Sequence, residues 1–218
     1  MALFIGSTSG SYIQTSVSSL SASTSMTIMC WVNLSSTNTG NWREFINFNN
    51  NWGINTYSDG DTFNISGFNP NGPIMGSNIW YHTAATLQAI SESSFNVFGY
   101  LNSNEAIGFS NTSRTFVNYT TVTIGNANDN GAYSSPLSGM IRDVRIFTRV
   151  MPVAEIKANM YSAVPINQAG LLLWAPLDTD LVNDKSGNGY VFTSGGSPIL
   201  VAGQLQPYIK SNTMKWIV

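Results

Sequence analysis

Apolar residues alternate with small polar ones in short runs along most of this chain, and a period of two marks an extended strand with one buried face. On this pattern residues 11–15, 26–34, 44–48, 52–57, 62–68, 80–87, 94–101, 106–109, 121–125, 138–147 and 171–175 are predicted to be strands. Gly, Asn, Asp and Pro punctuate the runs, as turn chemistry requires. So many short strands cannot hide their apolar faces in one open layer, so the chain is expected to be all-β, with two antiparallel sheets packed face to face. Helical spacing occurs once, where Val153, Ile156 and Met160 follow Pro152, and this predicts one short helix near 152–161. Neither a shift of composition nor an internal repeat divides the chain. It reads as one domain over 1–204 with a C-terminal extension over 205–218.

Charge excludes several classes of function. Only 9% of the 218 residues are charged, against about 25% in ordinary domains. The net charge of −2 leaves no basic footprint for phosphates, so neither nucleic acid nor an anionic membrane surface is an expected partner. No apolar run approaches the length of a membrane span, and the N-terminus lacks the positive region of a signal peptide, so neither membrane insertion nor signal-dependent export is expected. Cys30 stands alone, which rules out an intrachain disulfide and a cysteine metal cluster. Asn-X-Ser/Thr triplets beginning at Asn33, Asn64, Asn111 and Asn118 are what an Asn/Ser/Thr-rich chain contains by chance.

Three segments occur in the order in which a known family carries them. They are Met26-Thr27-Ile28-Met29-Cys30-Trp31-Val32-Asn33, then Trp80-Tyr81-His82-Thr83-Ala84-Ala85-Thr86, then Gly139 to Arg149 with Glu155-Ile156 following. Together they resemble the laminin-G-like, concanavalin A-like lectin/glucanase family, which implies a jelly-roll sandwich. A further family segment, Leu173-Trp174-Ala175-Pro176-Leu177 followed by Asp184-Lys185-Ser186-Gly187-Asn188-Gly189, stands after the helix here, whereas in many relatives it opens the domain. Calcium-binding relatives use a position like Asp184, but their acidic pair is replaced by Arg142-Asp143. Strand alternation places Arg142 with Val144 and Ile146, opposite Asp143. The expectation is therefore no metal and no other cofactor, with an Arg142–Asp184 ion pair in place of calcium and calcium at Asp184 as the alternative.

Glycosidases of this fold use paired carboxylates, yet none of Glu44, Glu92, Glu105 or Glu155 has a carboxylate two or five residues later. The only histidine, His82, lies in a strand and reads as a locally bonded sheet residue, as Trp31 and Trp80 read as core aromatics. No enzyme activity is expected. Between Trp42 and Asn78, aromatic residues interleave with Asn and Asp, a mixture suited to sugar rings and their hydroxyls. Trp52, Tyr57, Asp59, Asp61 and Phe63 are the candidate ligand residues, with sandwich filling and turn formation as the competing explanation.

Two functions fit. The first is a non-enzymatic structural or interaction protein, in particular a viral (phage) virion component such as a capsid decoration protein. Such a protein would form a homo-oligomer or bind other virion proteins, docking through Trp216, Ile217 and Val218, with packing of this tail as a last strand of its own sandwich as the competing explanation. The second is a carbohydrate-binding module or adhesin, extracellular or on a cell surface, that binds glycans through its aromatic and Asn-rich loops.

Overall fold

A computed structural model of the chain describes residues 1–5, 11–21, 23–35, 42–49, 52–57, 61–68, 72–113, 118–127 and 133–201. The extension over 205–218, with Trp216, Ile217 and Val218, lies outside the described residues, as does Asp59. The strands are β1 (Ala2–Ile5), β2 (Tyr12–Leu20), β3 (Met26–Leu34), β4 (Arg43–Phe48), β5 (Trp52–Thr56), β6 (Phe63–Ser66), β7 (Trp80–Ala89), β8 (Ser94–Leu101), β9 (Asn104–Ser113), β10 (Tyr119–Ile124), β11 (Gly139–Phe147), β12 (Leu171–Ala175), β13 (Thr193–Gly195) and β14 (Ile199–Val201). An eight-stranded sheet runs β14-β1-β11-β3-β7-β8-β9, with β12 also paired to β11. A six-stranded sheet runs β13-β2-β10-β4-β5-β6. Every described strand pairing is antiparallel, so the expected two-sheet sandwich is present.

Alternation decides which side chains meet between the sheets. In β3, Met26, Ile28, Cys30, Val32 and Leu34 join the main core, where they meet Ile46, Phe48, Trp52, Ile54, Phe63 and Ile65 of the other sheet. Each fully buried side chain of this size is worth about 1.5–3 kcal/mol by the area it hides from water. The other face of the eight-stranded sheet carries a second, smaller core, in which Met29 of β3, Ala84 of β7 and Phe147 of β11 pack with Met151, Ile156 and Leu171. Ile156 belongs to the helix α1 (Val153–Met160), which begins after Pro152 at φ −65° and matches the expected span.

A buried polar knot fixes that helix to the sheet. Asp143 has φ 51°, and the β11–β3 register slips between Arg142 and Arg145. Arg145 donates to both carboxylate oxygens of Asp143 at 2.8 Å and to the side-chain and backbone oxygens of Asn159 in α1 at 3.0 and 3.1 Å. Trp174 Nε1 donates to Asp143 Oδ1 at 3.0 Å.

This bulge corrects the expected placement of Arg142. Simple alternation fails across it: Ile141, Val144 and Ile146 all enter the main core, while Arg142 lies with its guanidinium over the Trp80 ring, 5.6 Å from the centroid. Strands β1, β13 and β14 were not expected. They are four, three and three residues long, too short for a period to register.

Candidate functional site

The outer face of the six-stranded sheet holds a buried carboxylate among amides. The β4–β5 register slips between Glu44 and Ile46, and Phe45 and Ile46 both enter the core. Glu44 is thereby left on the outer face, paired with Asn55, which is paired in turn with Asn64 of β6. Asn47, Gly53 and Ser66 form the neighbouring row.

Glu44 accepts hydrogen bonds from Asn55 Nδ2 at 2.8 Å, from Ser66 Oγ at 3.1 Å and from Asn47 Nδ2 at 3.4 Å. Asn64 Nδ2 donates to Asn55 Oδ1 at 2.9 Å. Burial pushes the Glu44 carboxyl up to about 7, against the pull of these donors in the opposite direction. Asn64 Oδ1 and Thr123 Oγ1 are buried without a hydrogen-bond partner among the described residues.

Above this array is a cavity of about 350 Å³ bounded by Trp42, Ser66, Gly67, Ser134 and Ser135. Asn126 holds the far wall in place, since its Oδ1 accepts from the backbone N–H of Ala127 and of Ser135, each at 2.9 Å. The Glu44 N–H donates to Ser135 O at 3.1 Å, fastening that wall to β4. Trp42 stands edge-on to Tyr57, with ring centroids 4.4 Å apart. An indole beside planar amides, hydroxyls and one carboxylate can pack on a sugar ring and exchange hydrogen bonds with its hydroxyls.

The candidate ligand residues fall in different places. Trp52 is 1% exposed, Phe63 0% and Asp61 0%, and all three are interior. This corrects their assignment as ligand contacts: Trp52 and Phe63 fill the sandwich core, and Asp61 pairs with Arg43 at 3.3 Å and accepts from Thr56 Oγ1 at 3.2 Å. Of the five, Tyr57 reaches the cavity's neighbourhood, through Trp42. Glu44, Ser66 and the wall at Ser134 and Ser135 were missed. The available signal was an acidic residue inside the apolar run Arg43-Glu44-Phe45-Ile46, followed by Asn55 and Asn64 at the centres of the next two runs.

The Arg142–Asp184 pair is not formed. Asp184 Oδ1 accepts from the N–H groups of Trp174 and Ser186, each at 2.9 Å, and Oδ2 accepts from Ser186 Oγ at 2.5 Å. Its carboxylate thus closes the turn at 184–189 on β12. No group of three or more His, Cys, Asp or Glu side chains among the described residues is placed to hold a metal ion. His82 lies edge-on to Trp31 at 5.3 Å, and burial, with Arg145 nearby, pushes its imidazole down to about 3.

The family model described as the concanavalin A-like lectin/glucanases superfamily, of laminin-G type, matches residues 7–157. Among curated proteins none matches the sequence. A candidate carbohydrate-binding protein from Bacteroides ovatus ATCC 8483 superposes with a TM-score of 0.63 at 17% identity, over 91% of this chain and 62% of that one. A native heptameric SAP-like pentraxin from Limulus polyphemus superposes with a TM-score of 0.60 at 15% identity, over 89% of this chain and 94% of that one. At such identities the likeness is one of fold. The chain spans 62% of the length of the Bacteroides protein. No helix among the described residues is long and apolar enough to cross a membrane.

Proposed function

Because the chain belongs to the concanavalin A-like lectin/glucanase superfamily, we propose that it binds uncharged glycans, without hydrolysing them, in the pocket above Glu44. One observation carries this reading: a buried carboxylate held by Asn55, Ser66 and Asn47 at the floor of an open cavity edged by Trp42. A carboxylate this poorly solvated gains from hydroxyl donors, and the indole offers a face to the apolar side of a pyranose. Glycoside hydrolysis ordinarily uses two carboxylates flanking the bond, and among the described residues the other acid near these strands, Asp61, is engaged with Arg43. The Bacteroides neighbour, a candidate carbohydrate-binding protein, agrees with this reading, which favours an extracellular or cell-surface setting. A virion role draws no support from the fold or from these neighbours.

The test is a neutral-glycan array followed by calorimetry on the best ligand, with Trp42→Ala and Glu44→Gln as variants. Each variant is expected to weaken binding roughly tenfold, about 1.4 kcal/mol, with hydrolysis products absent after prolonged incubation. Unchanged affinity in both variants would remove the pocket from the account.

A further inference from the structure

On the opposite sheet, away from Glu44, a groove of about 470 Å³ runs between the outer faces of β7, β8 and β9 and the turn that leads into α1. Its floor is aromatic. Phe98 pairs with Gly108 of β9, and a Cβ added at Gly108 would come within 3.1 Å of the Phe98 ring and 3.1 Å of Glu105 Oε1. The bare glycine therefore lets ring and carboxylate both settle against the strand. Tyr100, next on the same face of β8 and partnered with Glu105, continues the floor. Val150 and Val153 form an apolar wall and are 36% and 46% exposed. Gln88 and Asn104 line the groove as well, and both are exposed.

We propose that this groove is a second saccharide site, which takes a single uncharged pyranose ring laid on Phe98 and Tyr100. Chemistry selects that occupant. Aromatic faces and valine methyls match the C–H face of the ring, while two amides and a carboxylate match its hydroxyls. Among the described residues Glu105 is the only charged group lining the groove, so carboxylated or sulfated sugars are repelled. With a site on each sheet, one chain bridges two glycans, and a monomer can cross-link a polymer that a one-site lectin only coats.

The experiment is NMR on the full labelled chain, titrated in turn with the methyl glycosides of glucose, galactose and mannose. The supporting result is saturable movement of the Val150 and Val153 methyls and the Gln88 and Asn104 amides with at least one probe. That movement should weaken roughly tenfold in Phe98→Ala and persist in Glu44→Gln. Val153→Asp supplies a variant that keeps the fold, because an acidic residue in the first turn of α1 favours the helix; it should also weaken the groove response. Shifts confined to Asn55, Asn64 and Trp42 refute the second site and leave the Glu44 pocket standing. The reverse pattern does the opposite. Groove signals that move with protein concentration alone assign the groove to a second copy of the chain and so overturn the saccharide site, as does silence with all three probes.

Discussion

Replacing Glu44 by Gln should change how the protein's stability depends on pH, by an amount the site itself sets. Moving a carboxyl pKa from 4.5 to about 7 in the folded state corresponds to about 3 kcal/mol, at about 1.4 kcal/mol per pH unit. The direction follows from proton binding. Between those two values the folded chain holds a proton that the unfolded chain has released, so stability falls as pH rises through the window. Below pH 4.5 both states are protonated and nothing is lost; above 7 the loss is complete. The Glu44→Gln amide carries no such proton, so the stability of the variant minus that of wild type should climb by about 3 kcal/mol from about pH 4 to about pH 8. A constant offset is expected on top, because the new amide meets the Asn47 amide donor, and only the slope matters. Urea unfolding at matched ionic strength reads this directly as a relative midpoint shift of about 1 M or more, for slopes of about 1–3 kcal/mol per molar. Parallel curves for the two proteins across the whole range would refute the buried-carboxylate reasoning.

Other outcomes follow from the same geometry. Glycan affinity at the Glu44 pocket should rise as pH passes through about 7, because only the ionised carboxylate accepts at both oxygens; calorimetry at about pH 5.5 and about pH 8.5 checks this, and a flat profile contradicts it. Trp52→Ala should cost about 3–5 kcal/mol of stability, with no change in affinity beyond that of other core truncations. Arg145→Met leaves the Asp143 carboxylate buried without its bidentate partner, for an expected loss of about 3–5 kcal/mol, seen in thermal melts. Gly53→Ala would set a Cβ 1.9 Å from the Ile46 carbonyl oxygen, so β4 and β5 must part and the melting temperature should fall by several degrees.

Alternation made the sandwich readable. β3 and β8 have the bounds that the pattern gave, 26–34 and 94–101, because each runs without a bulge inside its apolar series. The errors cluster at bulges. At Asp143 one extra residue put Arg142 on the face opposite to the expected one, and at Phe45 another allowed two consecutive apolar residues inside and turned Glu44 outward. An inserted residue reverses the parity of everything before it, and a period-two reading has no signal for that. The aromatic residues show a second limit. Trp52 and Trp42 occupy similar polar-flanked contexts in the sequence, yet one fills the core and the other edges the pocket. Parity relative to Ile54 and Ile65 separates them, and it becomes visible only once strand partners are known.

The pairing of β1 bears on the order in which this chain acquires structure as it is made. Ala2 pairs with Val201 of β14, and Leu3 with Ile141 of β11. β2 likewise finds its partners in β10 and β13. On the ribosome β1 and β2 emerge before any of these partners, while β4-β5-β6 and β7-β8-β9 can each close as neighbours in sequence. β1 and β2 therefore stay unpaired until β10 and β11 follow, offering bare strand edges to other nascent chains. Their second edges are covered later still, by β14 and β13.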